Sequence, residues 1–208
     1  MNLLIEDLAL IGVPVVALTA IVVLMAIWTV RAGIVATYVN SDVPKEMLIY
    51  TQTAPDMARL AKEIKTVGYL TGERQNLKIT IDSTDGYTWP WAWYLRNYKN
   101  VSYPDYSKAG QPATPPDSDV VLVNARNNDA VKLRLGQDFT PGRELMFRWW
   151  FPEDYRNLTA GAFSDTIVHP SRWRTAVEYF LYRKTPSPIT GVKAFVYFKK
   201  TLPLSPPM

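Results

Sequence analysis

Residues 8–30 read LALIGVPVVALTAIVVLMAIWTV, and none of these 23 positions carries a charge. About 20 apolar residues are enough to carry a helix across the roughly 30 Å of a bilayer's hydrocarbon. The run is apolar on every face, whereas a helix lying on the surface of a soluble domain has one polar side. Pro14 falls in its first half, where a membrane helix tolerates a kink. Trp28 and Tyr38 stand where interfacial aromatics sit. A cleaved signal peptide would want a basic start and a shorter apolar core. Glu6 and Asp7 make this start acidic, and no clear Ala-x-Ala site follows. Residues 1–39 are therefore expected to form a single-pass transmembrane anchor. Arg31 and Lys45 follow the span, and the positive-inside rule taken alone would turn the next domain toward the cytoplasm.

Outward from the anchor, residues 40–44 read as a linker and residues 46–53 as a buried strand. Pro55 and Asp56 then open a helix, with Met57, Leu60, Ala61, Ile64 and Val67 at helical spacing. Residues 77–82 alternate as a strand does. Pro90 opens a second helix, and residues 101–103 form a short strand. Residues 108–118, rich in proline, read as a loop. Residues 119–124 are a continuous apolar strand, 128–133 a short helix, 145–151 a strand, 171–181 an amphipathic helix and 192–198 a last alternating strand. Residues 201–208 are a proline-rich tail. This order predicts an α/β sandwich over residues 40–200 with a largely parallel sheet. The apolar runs 48–51 and 120–123 are expected to be central parallel strands.

Composition excludes several classes. There is no cysteine, so neither disulfides nor thiolate metal sites can form. His169 is the sole histidine, which leaves no His-based triad or metal set. No Gly-x-Gly-x-x-Gly and no Walker loop occur, and nothing calls for a cofactor. The net charge of +4 is scattered among such residues as Lys62, Arg74, Arg143 and Lys199, without a block of like charges. A nucleic-acid partner is therefore not expected. Lipid and other integral membrane subunits are.

The stretch richest in chemistry is Asp82-Ser83-Thr84-Asp85-Gly86-Tyr87-Thr88-Trp89-Pro90-Trp91-Ala92-Trp93-Tyr94-Leu95-Arg96. It starts at the carboxyl end of an expected strand, where open α/β sheets place ligand crevices. Asp82, Asp85, Tyr87, Trp89, Trp91, Trp93 and Arg96 are candidate ligand or partner residues. Tryptophan faces stack on sugars and carboxylates accept from hydroxyls. Alternatively, the aromatics pack the helix onto the sheet and Asp85-Gly86 makes the turn, or the cluster is a protein interface. Trp149 and Trp150, in a second aromatic run ending at Arg156, are further candidates, either as core and rim or as a headgroup contact. No residue is assigned a catalytic role.

Two motifs together, Leu48-Ile49-Tyr50-Thr51-Gln52-Thr53-Ala54-Pro55-Asp56 and the Asp82 to Arg96 stretch, resemble the C-terminal region of flippase-associated membrane proteins. That family is similar to dolichyl-phosphate-mannose protein mannosyltransferases, multi-spanning membrane glycosyltransferases. The resemblance covers roughly residues 8–200. It implies a last membrane span followed by an extracytoplasmic domain, against the weak charge count, and points to a cell-membrane protein with its polar domain on the periplasmic or extracellular face. Catalysis in that class is expected from an acidic residue in a loop of a many-helix core. No position here matches that loop, so no catalytic residue carries over. The expectation is a non-enzymatic accessory or structural subunit of a larger membrane complex, glycan-processing or energy-transducing, photosynthetic or respiratory. The alternative is a domain that binds glycan or a polyprenyl-phosphate-linked sugar beside a membrane glycosyltransferase.

Overall fold

The computed structural model describes residues 2–47, 49, 51–108, 117–153, 156, 159, 161, 164–165 and 168–204, with the backbone alone for 2–13 and 171–172. The expected loop from 109 to 116, Leu48 and Tyr50 of the first expected strand, and the tail from 205 lie outside the described residues.

Helix α1 (Asn2–Ile34) continues through Pro14 and closes in a π-helical turn over Val35–Val39. Over Pro14–Val39 the mean hydropathy is 2.2, so by length and composition this helix can cross a membrane. Among its described side chains, Val16, Leu18, Leu24 and Met25 stand exposed, whereas Trp28 near its end meets the domain.

The domain is built on six strands: β1 (Thr51–Thr53), β2 (Lys78–Ile81), β3 (Asn100–Ser102), β4 (Val120–Asn124), β5 (Arg143–Trp150) and β6 (Thr190–Phe198). They lie in the order β1-β5-β6-β4-β2-β3. β4 is buried along its whole length. Successive strand residues point to opposite faces, so Val120 and Leu122 enter one core and Val121 and Val123 the other. The first core lies under α2 (Pro55–Leu70) and α3 (Thr88–Tyr94) and holds Met57, Leu60, Ile64, Ile79, Trp91 and Phe147. The second lies under α4 (Asn128–Leu135), with Val131, Leu135 and Phe139. Burying a side chain such as Leu or Phe is worth about 1.5–3 kcal/mol, which is what makes both helix layers adhere. Across the first layer, Arg143 of β5 grips Glu63 of α2 with both terminal guanidinium nitrogens, and Asp56 Oδ2 accepts the Met146 N–H at 3.0 Å.

The α/β class stands, but the sheet is mixed and not largely parallel. β2 runs parallel to β3 and β4, whereas β4–β6, β6–β5 and β5–β1 are antiparallel. A parallel neighbour needs a crossover element laid across the sheet. The helix between β5 and β6, α5 (Pro170–Tyr182), lies instead against α1, so the chain re-enters antiparallel. The run at 48–51 is not a central strand either. Among the described residues of this segment only Thr51–Thr53 pairs, at one edge, and Met47 and Ile49 are exposed. Their apolarity belongs to the segment that joins α1 to the domain.

That junction is specific. The Phe180 ring of α5 stacks on Trp28 of α1 at 4.5 Å and 7°, and Arg31 Nη2 donates to the Leu181 carbonyl at 2.8 Å. Tyr179 Oη accepts from Met47 N–H at 2.8 Å and donates to Lys45 O at 3.1 Å. Arg183, in the left-handed conformation (φ 55°), ends α5 and reaches both Glu46 oxygens at 2.8 and 2.9 Å.

Gly68, inside α2, packs against the turn that leads to β2. A Cβ there would stand 2.5 Å from the Arg74 carbonyl oxygen. Alanine is normally better than glycine in a helix by about 1 kcal/mol. Here Gly68→Ala should instead lose about 1–3 kcal/mol through overpacking, read by denaturant unfolding of the solubilised chain. A stabilised variant would contradict this packing.

Candidate functional site

β2 and β4 are adjacent and parallel, and the chain leaves them for opposite faces: β2 toward α3, β4 toward α4. Such a divergence opens a crevice beyond the carboxyl ends of the strands. Asp82, the first residue after β2, is fully buried there. Its Oδ1 accepts from Thr84 N–H at 3.0 Å and Thr84 Oγ1 at 2.7 Å. Its Oδ2 accepts from Asn127 Nδ2 at 2.8 Å and Asn124 N–H at 3.2 Å. Asn127 Nδ2 also donates to Thr84 Oγ1 at 2.8 Å. Thr84 Oγ1 further lies 3.1 Å from Asp105 Oδ1, but a hydroxyl has one proton, and the shorter contact assigns it to Asp82. The Asp105 carboxyl is held down to about 2, first by the hydrogen bond from the Ser107 hydroxyl. Asp82 thus clasps the β2 turn to the end of β4, with two donors on each oxygen. A carboxyl so occupied is a structural bracket between the two strand ends.

Beside this bracket, which shares Asn124 with it, a cavity of ≈ 450 Å³ is lined by Asp85, Asn124, Arg126, Arg148, Trp150 and Lys193, among others. Asp85 adopts φ 54° and Gly86 φ 70°, a left-handed pair that turns the chain out of β2. Arg126 Nη1 pairs with Asp85 Oδ2 at 3.3 Å, and the Arg148 guanidinium lies 5.7 Å from the Trp150 ring. An aromatic face, a carboxylate, an amide and three cations therefore converge on one opening. Trp149, next along β5, is partly buried and lies opposite Gln52 of β1 and Gly191 of β6; a Cβ at Gly191 would sit 3.0 Å from its ring.

Helix α3 divides the aromatic run in two. Tyr87, just before it, and Trp91 are fully buried, with Tyr87 edge-on to Phe147 at 4.7 Å and to Trp91 at 6.2 Å. Burial also pushes the Tyr87 hydroxyl above its usual range. These two residues hold the helix to the sheet and offer no face to a ligand. Trp89 and Trp93, one turn apart on the other side, are 76% and 66% exposed. Arg96 caps Trp93, its guanidinium 4.3 Å above the ring and its Nη1 bonded to the Trp93 carbonyl at 2.9 Å. Beside this face runs a groove of ≈ 540 Å³ whose lining includes Lys65, Arg74, Arg96 and Lys99 with Tyr69, Tyr94 and Tyr98, and no carboxylate.

The nine candidate residues therefore separate into four places: the bracket (Asp82), the core (Tyr87, Trp91), the crevice and its strand (Asp85, Trp149, Trp150) and the outer face of α3 (Trp89, Trp93, Arg96). Sequence reasoning missed Thr84, Asn124, Arg126 and Asn127. The signal for them was the polar run 124–128 directly after an apolar strand, which reads as side chains capping a turn. Among the described residues, no group of three or more histidine or carboxylate side chains could hold a metal ion. No family model matches the chain, and neither a curated protein nor a solved structure matches it.

Two carboxylates three residues apart should behave differently. Asp82→Asn places an amide hydrogen against a donor inside the bracket and should cost about 2–4 kcal/mol. Asp85→Asn removes only an exposed ion pair and should cost less than about 1 kcal/mol. Thermal unfolding of the two solubilised variants checks this, and equal losses would dismiss the bracket.

Proposed function

We propose that this chain is a non-catalytic, single-pass membrane subunit whose domain docks a partner protein of a larger membrane assembly through the outer face of α3. The observation that carries this is the Trp89–Trp93–Arg96 surface. Two tryptophans are left to solvent beside an arginine that stacks on one of them, and interfaces concentrate their binding energy in exactly these residue types. Isolated in water, so much exposed aromatic surface is unfavourable. The apolar helix α1 supports the anchor, and its lack of burial within the domain fits lipid around it. Commitment of Asp82 to four donors supports a structural rather than a catalytic role for the most buried carboxylate. The resemblance to flippase-associated membrane proteins favours the extracytoplasmic side and a host assembly of glycan-processing or energy-transducing type, photosynthetic or respiratory.

A purification from native membranes under mild detergent should bring other integral membrane subunits with the chain in fixed ratio. Trp89→Ala with Trp93→Ala should weaken that association at least about 30-fold, the equivalent of one hot-spot residue at 2 kcal/mol, while the thermal unfolding midpoint stays put. A chain that purifies alone as a monomer would sink the proposal.

The crevice at the end of β4 supports a second reading, a sugar or lipid-linked sugar site in which Trp150 stacks on the ring while Asp85, Asn124 and Arg126 bond its hydroxyls. Titration of the solubilised chain with a panel of glycans and polyprenyl-phosphate sugars should then show saturable binding that Trp150→Ala removes. Silence across the panel disposes of it.

A further inference from the structure

We propose that α5 lies in the membrane–water interface with its Trp173–Val177–Phe180 stripe in the bilayer, so that the domain is seated on the lipid and not merely tethered to it. This rests on α1 being a membrane span. A helix of 13 residues is marginal in water unless tertiary packing holds it. Yet Trp173, Val177 and Phe180 are 52%, 46% and 55% exposed. At about 100° per residue these three positions fall within about 60° of one another, a single stripe along the helix. The domain holds α5 elsewhere on its circumference, through Tyr179 to the 45–47 backbone and through Arg183 to Glu46.

Helix α1 fixes the level of the stripe. Phe180 stacks on Trp28, and Arg31 donates to the Leu181 carbonyl. Arg31 is the first charge after the uncharged run, so it marks where the hydrocarbon ends. α5 therefore leaves α1 at the depth of the headgroups, and its stripe continues the exposed apolar surface of the span. That continuity selects lipid over a protein as the occupant. Arg174 and Lys184 flank the stripe, 2.8 and 3.0 Å from Glu178, and place cations at the headgroup level. An apolar stripe with an aromatic anchor and flanking cations is how interfacial helices bind.

The chain has no cysteine, so an introduced one reports on its own position alone. Val22→Cys, Val177→Cys and Thr175→Cys would each carry a spin label in the full chain, reconstituted in nanodiscs of phosphatidylcholine and phosphatidylglycerol. Accessibility to oxygen, which partitions into lipid, is compared with accessibility to a water-soluble nickel chelate. Oxygen should dominate at 22 and 177 and nickel at 175, with the oxygen-to-nickel ratio at least about fivefold higher at 177 than at 175, since an interfacial helix buries one face by about 5–10 Å. Lipid exposure at 22 with nickel access at 177 overturns the seating but leaves the span intact. Nickel access at all three positions overturns both. A label at 177 shielded from both reagents means that protein covers the stripe, and also overturns the proposal.

Discussion

Burial of β4 on both faces is the constraint from which the rest of the domain follows. A strand whose every side chain is buried cannot sit on a single core, because alternate residues point opposite ways. One helix layer must come from each side, and the chain must then leave β2 and β4 for different layers. That divergence creates a gap at the strand ends, which would leave backbone N–H groups and turn residues without partners. Asp82 fills it. Its carboxyl gathers the Thr84 turn, the last residue of β4 and the side chain of Asn127 into one buried cluster, and Asn124 of that cluster lines the crevice beside it. A carboxylate that reads as a candidate ligand residue in the sequence is thus spent on construction.

The aromatic residues show the same division between construction and display. Along α3 the period of the helix sends Trp91 into the core, together with Tyr87 ahead of it, and turns Trp89 and Trp93 outward. Four aromatic residues within seven positions look like one cluster in sequence. In space they form an internal joint and an external surface, back to back. The rigid joint supports the surface: Trp89 and Trp93 stand on a helix whose opposite side is pinned by Tyr87, Trp91 and Phe147, so docking of the proposed kind would cost little conformational freedom there.

Element by element, much of this was legible. The helices over Pro55–Leu70 and Pro170–Tyr182 and the strands over Lys78–Ile81, Val120–Asn124 and Thr190–Phe198 follow from periodicity and from proline and glycine punctuation. Strand direction was not legible, because local pattern says that a helix intervenes but not whether it crosses the sheet. α5 does not cross, and its attachment to Trp28 and Arg31, about 150 positions earlier, has no local signature. Met47 and Ile49 misled for a related reason: exposed apolar side chains in the segment that follows α1 look like those of a buried strand. At the site, strand-end logic found Asp82 and Asp85, and composition found the tryptophans. Which of these face inward depended on the helical phase of α3 and on the neighbours it met, and neither is fixed before the sheet forms.

The sheet ends at both sides in three-residue strands, β1 at one edge and β3 at the other. An edge strand is a template for another chain's backbone, and its danger grows with its length. Anchored by α1 as proposed, the molecule would meet its neighbours in two dimensions, always the same way up, with edges at equal height. Long open edges would there invite copy-to-copy stacking into ribbons. Among the described residues these short edge strands offer an incoming strand little ladder to extend, so association of the proposed kind would fall to side-chain surfaces, where shape and chemistry can choose the partner.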